Sequence, residues 1–341
     1  MKNALLVLVI AAAAGGGWWY AKRSAAPAEA DPATSTDLPG PEDQPGALPG
    51  PAATTSDLPG PAPAPAGLPA AVQADLNAAE ALWAEAAAAT PDDPTRDARA
   101  PRMARLYTGI LRATYGQPAA EAAADRLVAD RLAPLGRALF LSRNRYDDEL
   151  FAVHTVQSGD VPANIGKKFG IDYRYLNRLR GRDINDGNLR VGEALKVVQM
   201  KAVGGTYLYV SKSRYLLDLY VGGVFAKRYR ISIGAPETPT PIGKTEVTNL
   251  VYNPPWTRPT DNQVLPHGHP ENILGGVWIA LAPDGIQGKT GIGLHGYTGE
   301  DRSLQKQASN GCLRLDNDEI QELANIIGGP GFAPCVVEIV E

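Results

Sequence analysis

Cysteine is scarce in this sequence, and its scarcity excludes a disulfide-stabilised scaffold. The 341 residues contain two cysteines, Cys312 and Cys335. A bridge between them would remove the candidate nucleophile Cys312, so we predict that both are free thiols.

A basic excess is also lacking, because 33 lysines and arginines against 37 aspartates and glutamates give a formal net charge of −4. A nucleic-acid partner is therefore not expected.

Charged residues are absent from Ala4–Tyr20, which is followed by Lys22 and Arg23. As a helix this stretch would reach about 25 Å, slightly less than a bilayer core of roughly 30 Å. The aromatic run Trp18–Tyr20 suits an interfacial anchor. We predict an uncleaved signal anchor over residues 1–23, with a cleaved signal peptide or a buried helix as alternatives. Either kind of signal implies export.

Lysine and arginine are absent from residues 24–70, which contain twelve prolines. A short repeat, Asp37-Leu-Pro-Gly-Pro41, recurs at residues 57–61. Such a composition buries too little apolar surface to offset the loss of chain entropy. We predict a disordered linker rich in proline, alanine and glycine. A proline-rich ligand for a partner protein is the alternative.

Residues 71–150 are alanine-rich and carry apolar residues at helical spacing. Breaks are expected at Pro91–Pro94, Pro101 and Gly116–Pro118. The pattern predicts an α-helical region of helical hairpins, which distantly resembles tetratricopeptide repeats around Leu106-Tyr107 and residues 119–124. We expect its aromatic residues to pack internally, and a partner-binding groove is the alternative. The three apolar faces consist of Val72, Leu76, Ala79 and Trp83; Met103, Leu106, Ile110 and Leu111; and Leu127, Val128, Leu132 and Leu135.

Residues 151–201 predict a strand, two short helices and a second strand. This order, with Gly159-Asp160 after the first strand and Leu189-Arg-Val-Gly192 before the second, resembles the lysin-motif (LysM) family. The resemblance implies a small βααβ domain that binds polymers containing N-acetylglucosamine. His154 departs from the tyrosine common in the family, and we interpret it as a strand-start residue and not as a metal ligand.

The glycan contacts implied by this resemblance come from the loop after the first strand and the loop before the second. Residues 154–201 carry nine basic and five acidic side chains, and this charge favours an anionic wall polymer. A folded module without sugar affinity is the alternative. The implied glycan-binding residues are Gly159, Asp160, Val161, Pro162, Asn188 and Leu189.

Residues 205–341 predict a mainly β domain, because β-branched and aromatic runs alternate with glycine and proline. The runs lie at residues 206–210, 215–220, 224–233, 245–252, 277–281 and 336–340. Asp316, Asp318 and Glu319 suit the first turn of a helix that continues to Ile327. Cys335 lies at the start of the last run, where we expect it to be packed and inert.

Cys312 and His295 form a candidate catalytic pair seventeen residues apart. A thiol attacks only as thiolate, and a neighbouring imidazole is the usual means of removing its proton. Gly311 permits a tight turn that exposes the sulfur, and two successive backbone N–H groups there can form an oxyanion hole. The alternative is a small buried cysteine and an unrelated surface histidine.

Five ordered blocks across residues 205–341 resemble the YkuD-type L,D-transpeptidase catalytic domain. They are Ile233-Gly234 with Thr238–Lys244, Asn253–Trp256, His269–Gly275, Gly293–Gly296 and Ser309–Leu315. The resemblance implies a cysteine acyltransferase that acts on peptidoglycan stem tetrapeptides. Cys312 would form a thioester and expel the terminal D-alanine, and an amine acceptor would then resolve the thioester. No cofactor is implied.

The same resemblance assigns roles around the thiol. His295 would be general base and then general acid, with its other nitrogen oriented by Gly296. The N–H groups of Gly311 and Cys312 would hold the oxyanion, and Arg314 would favour thiolate or bind a stem carboxylate. Further substrate contacts are expected from Ser309, Asn310 and Tyr297. A metal site at His267 and His269 is not expected, because no third ligand has suitable spacing; a loop lining the substrate cleft is expected there.

Asn310 is the main departure from the family pattern, which commonly has histidine at this position. Asparagine forms hydrogen bonds but does not titrate, so the departure leaves the choice of acceptor open. The sequence predicts a peptidoglycan L,D-transpeptidase, with an L,D-carboxypeptidase or a non-catalytic peptidoglycan-binding scaffold as alternatives. The expected location is the cell envelope, in the periplasm and anchored to the inner membrane through the N-terminal helix.

Overall fold

The computed structural model describes residues 66–88, 99–298 and 304–341. The predicted signal anchor at residues 1–23, and the predicted linker up to residue 65, lie outside these ranges. No helix in the described ranges combines the length and the apolar character that a bilayer crossing requires.

The region predicted to be helical contains four α-helices in its described part. They are α1 (Gln73–Ala88), α2 (Ala100–Ala113), α3 (Glu121–Leu127) and α4 (Ala133–Phe140), and a π-helical turn, Val128–Leu132, joins the last two. Pro101, expected to break a helix, lies in the first turn of α2, where its missing N–H costs no helical bond. Of the apolar residues predicted to face inward, all but Leu106 are buried. The resemblance to tetratricopeptide repeats stays a prediction.

Residues 151–198 form the expected order of strand, helix, helix and strand. The elements are β1 (Phe151–Thr155), α5 (Pro162–Phe169), α6 (Tyr173–Leu179) and β2 (Ala194–Val198), and β1 pairs with β2 in antiparallel register. Gly170 ends α5 in the left-handed conformation that glycine favours, and Asp172 caps α6 by accepting the Arg174 N–H. The βααβ order is thus observed, while membership of the LysM family stays a prediction.

The remaining residues build a sheet of eight strands. Each of the six predicted runs overlaps one of its long strands, and the helix α7 (Asn317–Ile327) ends where it was predicted to end. The strands of this sheet are β3 (Thr206–Ser211), β4 (Leu216–Val221), β5 (Val224–Arg230), β7 (Gly243–Tyr252), β10 (Val277–Leu281), β11 (Gly293–His295), β13 (Leu313–Arg314) and β14 (Cys335–Val340). Across the sheet they lie in the order β13-β11-β10-β7-β14-β3-β4-β5. Four short strands pair outside it: β6 (Ile233–Gly234), β8 (Trp256–Thr257), β9 (Val264–Leu265) and β12 (Gln307–Ser309).

The two ends of the sheet meet beyond β5. Ser232, two residues after β5, forms an isolated antiparallel bridge with Arg314 of β13. The N–H of each residue donates to the carbonyl of the other, over 2.9 and 3.0 Å. The sheet therefore curls until its first and last strands are connected at one end.

The helices and the βααβ unit pack directly on this sheet. Gly136 of α4 lies so near the backbone of Ala226 in β5 that a Cβ would approach the Ala226 oxygen to 2.1 Å. On α7, buried Glu322 pairs with Arg178 of α6 and with Lys227 of β5. One continuous apolar core consequently runs through all three described parts.

Candidate active site

Two short neighbouring strands bring the candidate catalytic residues together. β11 pairs in parallel with β13, and His295 lies opposite Arg314. Side chains of paired residues face the same side of a sheet, as do side chains two residues apart on one strand. Cys312 directly precedes β13 and comes two residues before Arg314, so the thiol lies at the sheet edge that carries the guanidinium and the imidazole. The Arg314 charge accordingly acts on the pKa of both Cys312 and His295.

His295 is a buried, neutral imidazole whose orientation is fixed. Its Nδ1 lies 2.6 Å from the carbonyl oxygen of Gly296, and since a carbonyl only accepts, Nδ1 carries the proton. The lone pair is therefore on Nε2. Burial lowers the pKa of His295 to about 4, and the Arg314 cation acts in the same direction, against the Gly296 hydrogen bond.

Cys312 is half-buried and free, and its Sγ lies 3.5 Å from the carbonyl oxygen of Gly291. Burial raises the pKa of this thiol, while the Gly293 backbone and the Arg314 cation act to lower it. The effect of Arg314 opposes that of burial, and burial outweighs it. Both pKa shifts favour a thiol and a neutral imidazole over a thiolate and an imidazolium.

The turn that presents the thiol is held from two sides. Ser309 Oγ donates to the carbonyl of Cys312 over 2.6 Å, and the Ser309 carbonyl accepts from Thr238 Oγ1 over 3.0 Å. Gly311 has φ +102°, and a Cβ there would lie 2.9 Å from Ile292 Cδ1. Glycine is therefore required at this position. The oxyanion role of the Gly311 and Cys312 N–H groups stays a prediction.

The predicted substrate-binding residues differ in what their side chains contact. Ser309 is buried and its hydroxyl is bonded within the turn, whereas Asn310 is exposed. Tyr297 is half-buried, and its hydroxyl donates to Asp316 over 3.1 Å. The Nε of Arg314 is buried and has no hydrogen-bond partner within residues 66–88, 99–298 and 304–341. Of the four, Arg314 is the one whose polar group adjoins both members of the pair.

Two residues that contact the histidine segment were not found by sequence reasoning. The Trp278 indole packs against the imidazole with ring centroids 5.9 Å apart, and Gly293 provides the space for it. Asn317 forms two hydrogen bonds to the backbone of Tyr297. Trp278 lay in a predicted strand without any further signal. Asn317 stood among the acidic residues assigned to the start of α7, where a polar side chain needs no special reason.

Comparisons with known proteins bear on the same part of the chain. The family model of the L,D-transpeptidase catalytic domain (YkuD) matches residues 205–337. YqjB of Bacillus subtilis, named among the L,D-transpeptidases, is 34% identical over 128 residues, which cover 36% of this chain and 67% of that protein. The chain belongs to the L,D-transpeptidase family.

Other members of the L,D-transpeptidase family match the same region. YkuD proteins of Bacillus licheniformis and Bacillus subtilis are 31% and 30% identical, over 35% and 36% of this chain and 58% and 60% of their own lengths. The chain therefore spans about three-fifths to two-thirds of these relatives. A solved L,D-transpeptidase from Mycobacterium tuberculosis has a TM-score of 0.32 and 17% identity, covering 40% of this chain and 58% of that one.

The histidine pair of the transpeptidase domain lies in the connection between β7 and β10. His269 Nδ1 accepts the Glu271 N–H over 3.2 Å, and the described residues contain no cluster suited to a metal ion. Asn272 in the same connection is buried and donates to the carbonyls of Pro254, Leu265 and Pro266. The buried Asn272 amide thus holds three points of this loop together.

The residues predicted to bind glycan lie in two loops of the βααβ unit. Asp160 accepts from the Gln157 N–H and lies 2.8 Å from His154 Nε2, and these contacts lower the pKa of its carboxyl. Val161 is 44% exposed, whereas Pro162 is buried at the start of α5. Gly159 has φ +89° and so forms the turn between them and the strand.

The second loop is held by hydrogen bonds within the loop and by one from Arg180, which directly follows α6. The backbone N–H and the side-chain amide of Asn188 both bond to Asp186 Oδ1, and Arg180 donates to the Asn188 carbonyl. Leu189 packs against the core. Of the six predicted residues, Val161 presents exposed apolar surface and Pro162 does not.

Proposed function

We propose that this chain is a peptidoglycan L,D-transpeptidase with Cys312 as nucleophile. The observation that carries the proposal is the parallel pairing of β11 with β13, because it sets His295 opposite Arg314 and Cys312 directly precedes β13. Family membership supports the reaction class, and the Gly296 carbonyl supports the base, because it leaves Nε2 of His295 free to accept a proton.

In the first half-reaction, His295 Nε2 takes the Cys312 proton as the sulfur attacks a carbonyl of a stem tetrapeptide. The new C–S bond gives a tetrahedral oxyanion held by the Gly311 and Cys312 N–H groups, an interaction worth about 3 kcal/mol at comparable sites. The C–N bond to the terminal D-alanine then breaks, and the imidazolium returns its proton to the leaving amine. A thioester and neutral His295 remain.

In the second half-reaction, an amine acceptor attacks the thioester and the Cys312 thiolate leaves. His295 accepts the acceptor proton and passes it to sulfur, since exposed Asn310 does not titrate. A second stem then gives a cross-link. Water in place of the amine would make the enzyme an L,D-carboxypeptidase.

The remaining parts of the chain extend this proposal. The βααβ unit would bind the glycan as a LysM domain, and the apolar stretch at residues 4–20 would anchor the chain to the inner membrane on its periplasmic side. Binding the polymer would raise the local concentration of stems around Cys312.

The test is intact-mass analysis of the full-length protein with disaccharide-tetrapeptide, with and without an added amine. We expect an acyl adduct that is absent from Cys312→Ala, and an amine-linked product. Cys335→Ala is the matched control and should retain the adduct. Hydrolysed product alone would identify a carboxypeptidase. Absence of any adduct, with wild type and Cys312→Ala sedimenting equally with peptidoglycan, would identify a scaffold and refute the enzyme.

A further inference from the structure

The segment that follows His295 is held by hydrogen bonds from the first turn of α7. The side-chain amide of Asn317 accepts from the Tyr297 N–H and donates to the Tyr297 carbonyl, each over 3.0 Å. A primary amide thus pairs with both backbone groups of one residue, as a neighbouring strand would. Tyr297 forms a third hydrogen bond to this helix start, because its hydroxyl donates to Asp316, the N-cap residue of α7.

Two glycines leave room for this amide. A Cβ at Gly296 would lie 2.0 Å from Asn317 Oδ1, and a Cβ at Gly275 would lie 2.6 Å from the same atom. Gly275 lies two residues before β10, and a Cβ there would also lie 2.9 Å from the Tyr297 nitrogen. The Asn317 amide therefore lies where the loop before β10 and the segment after His295 converge.

The chain of contacts leads from this amide to the imidazole. Asn317 fixes both backbone groups of Tyr297, and the Tyr297 N belongs to the same peptide unit as the Gly296 carbonyl. That carbonyl accepts the proton of His295 Nδ1. Because a peptide unit is planar, holding its N–H also sets the direction of its C=O.

We propose that Asn317 is a positioning residue that aims the Gly296 carbonyl and so keeps His295 in the tautomer with its proton on Nδ1. Its importance for catalysis rests on the proposed function; its effect on the imidazole does not. Asn317 lies five residues after Cys312 with β13 between them. One segment consequently carries the nucleophile and orients the base.

The test is the His295 tautomer, read from long-range proton–nitrogen correlations in protein labelled with nitrogen-15 histidine. His295→Gln assigns its signals among the four histidines. Wild type should show the Nδ1–H form. Asn317→Ala removes both hydrogen bonds and should shift the tautomer ratio toward Nε2–H by about fivefold or more, as expected for the loss of one typical hydrogen bond.

Asn317→Asp has the same shape and keeps the acceptor for the Tyr297 N–H, so its ratio should lie between wild type and Asn317→Ala. Asn325→Ala is the matched control, because Asn325 is on the same helix but bonds to Tyr252; it should leave the ratio unchanged. A wild-type ratio in folded Asn317→Ala overturns the proposal, and if that variant does not fold, a wild-type ratio in Asn317→Asp does so. The spectra need no substrate, so the two proposals are tested independently. The absence of an acyl adduct would refute the proposed function and would leave the proposal for Asn317 standing.

Discussion

The burial of His295 affects both its ability to accept a proton and the stability of the fold at low pH. It is 2% exposed and adjoins the Arg314 cation, and both conditions disfavour the imidazolium. A base with so low a pKa is neutral throughout the physiological range. It can therefore accept the thiol proton without first losing one of its own.

This environment predicts a pH-dependent loss of stability. Because the folded-state pKa of about 4 lies below the ordinary 6.5, the unfolded chain binds the extra proton first as pH falls. The contribution of His295 is complete above pH 6.5 and declines by about 3 kcal/mol toward pH 4. Urea unfolding of wild type and His295→Gln measures it, and the two curves should diverge between those pH values. Parallel curves would show that the imidazole is not buried as described.

The sequence predicted Cys312, His295 and Gly296 as site residues through their spacing and through the ordered blocks that resemble the family, and their catalytic roles stay predictions. The protonation states were not predictable, since they depend on burial that only the fold supplies. Asn317 and Trp278 were missed for a related reason. An asparagine at a helix start and a tryptophan in a strand have ordinary local explanations, and their contacts join residues far apart in sequence.

Helix α4 packs closely against β5 because Gly136, at the contact, has no side chain. Gly136 lets the helix lie against β5, although alanine is the better helix former by about 1 kcal/mol. Periodicity correctly indicated that Leu135 of this helix is buried. It could not indicate that Gly136 provides the contact with β5 and does not merely lower the helix propensity of α4.

A matched pair of substitutions separates these two effects. Gly109 in α2 is exposed, and a Cβ added there would meet no atom within 4 Å, whereas Gly136 faces the Ala226 carbonyl. Gly109→Ala should stabilise the protein by about 1 kcal/mol. Gly136→Ala should destabilise it by about 1–3 kcal/mol, because the helix must move away from β5. Thermal and urea unfolding measure both, and a stabilised Gly136→Ala would disprove the close docking.

At the scale of the whole molecule, the sequence suggested separable modules, whereas the described parts share one core. Composition marked where each part begins but held no signal for the contacts between them. The pairing of Glu322 with Arg178 and Lys227 depends on residues up to 144 positions apart. Such contacts follow from the fold and not from local pattern.

Glu322→Gln tests whether α6 and α7 support each other. Removing the charge leaves Arg178 and Lys227 without their buried partner, and because both are partly exposed we expect a loss of about 1–3 kcal/mol. Amide hydrogen exchange should quicken in α6 and α7 together. Glu319→Gln is the control, since Glu319 is more exposed and 3.6 Å from Lys227. Faster exchange confined to α7 would indicate that α6 is independently stable.

The bridge between Ser232 and Arg314 has a consequence for how the family can diverge. Helix α4 rests on β5, β5 runs into Ser232, and Ser232 is bonded to the strand that bears the guanidinium beside the thiol. A change in the helix that shifts β5 is therefore transmitted toward Cys312, the proposed nucleophile. In lineages that keep this helical region, we expect residues around Gly136 and Ala226 to evolve together and at the pace of the active site.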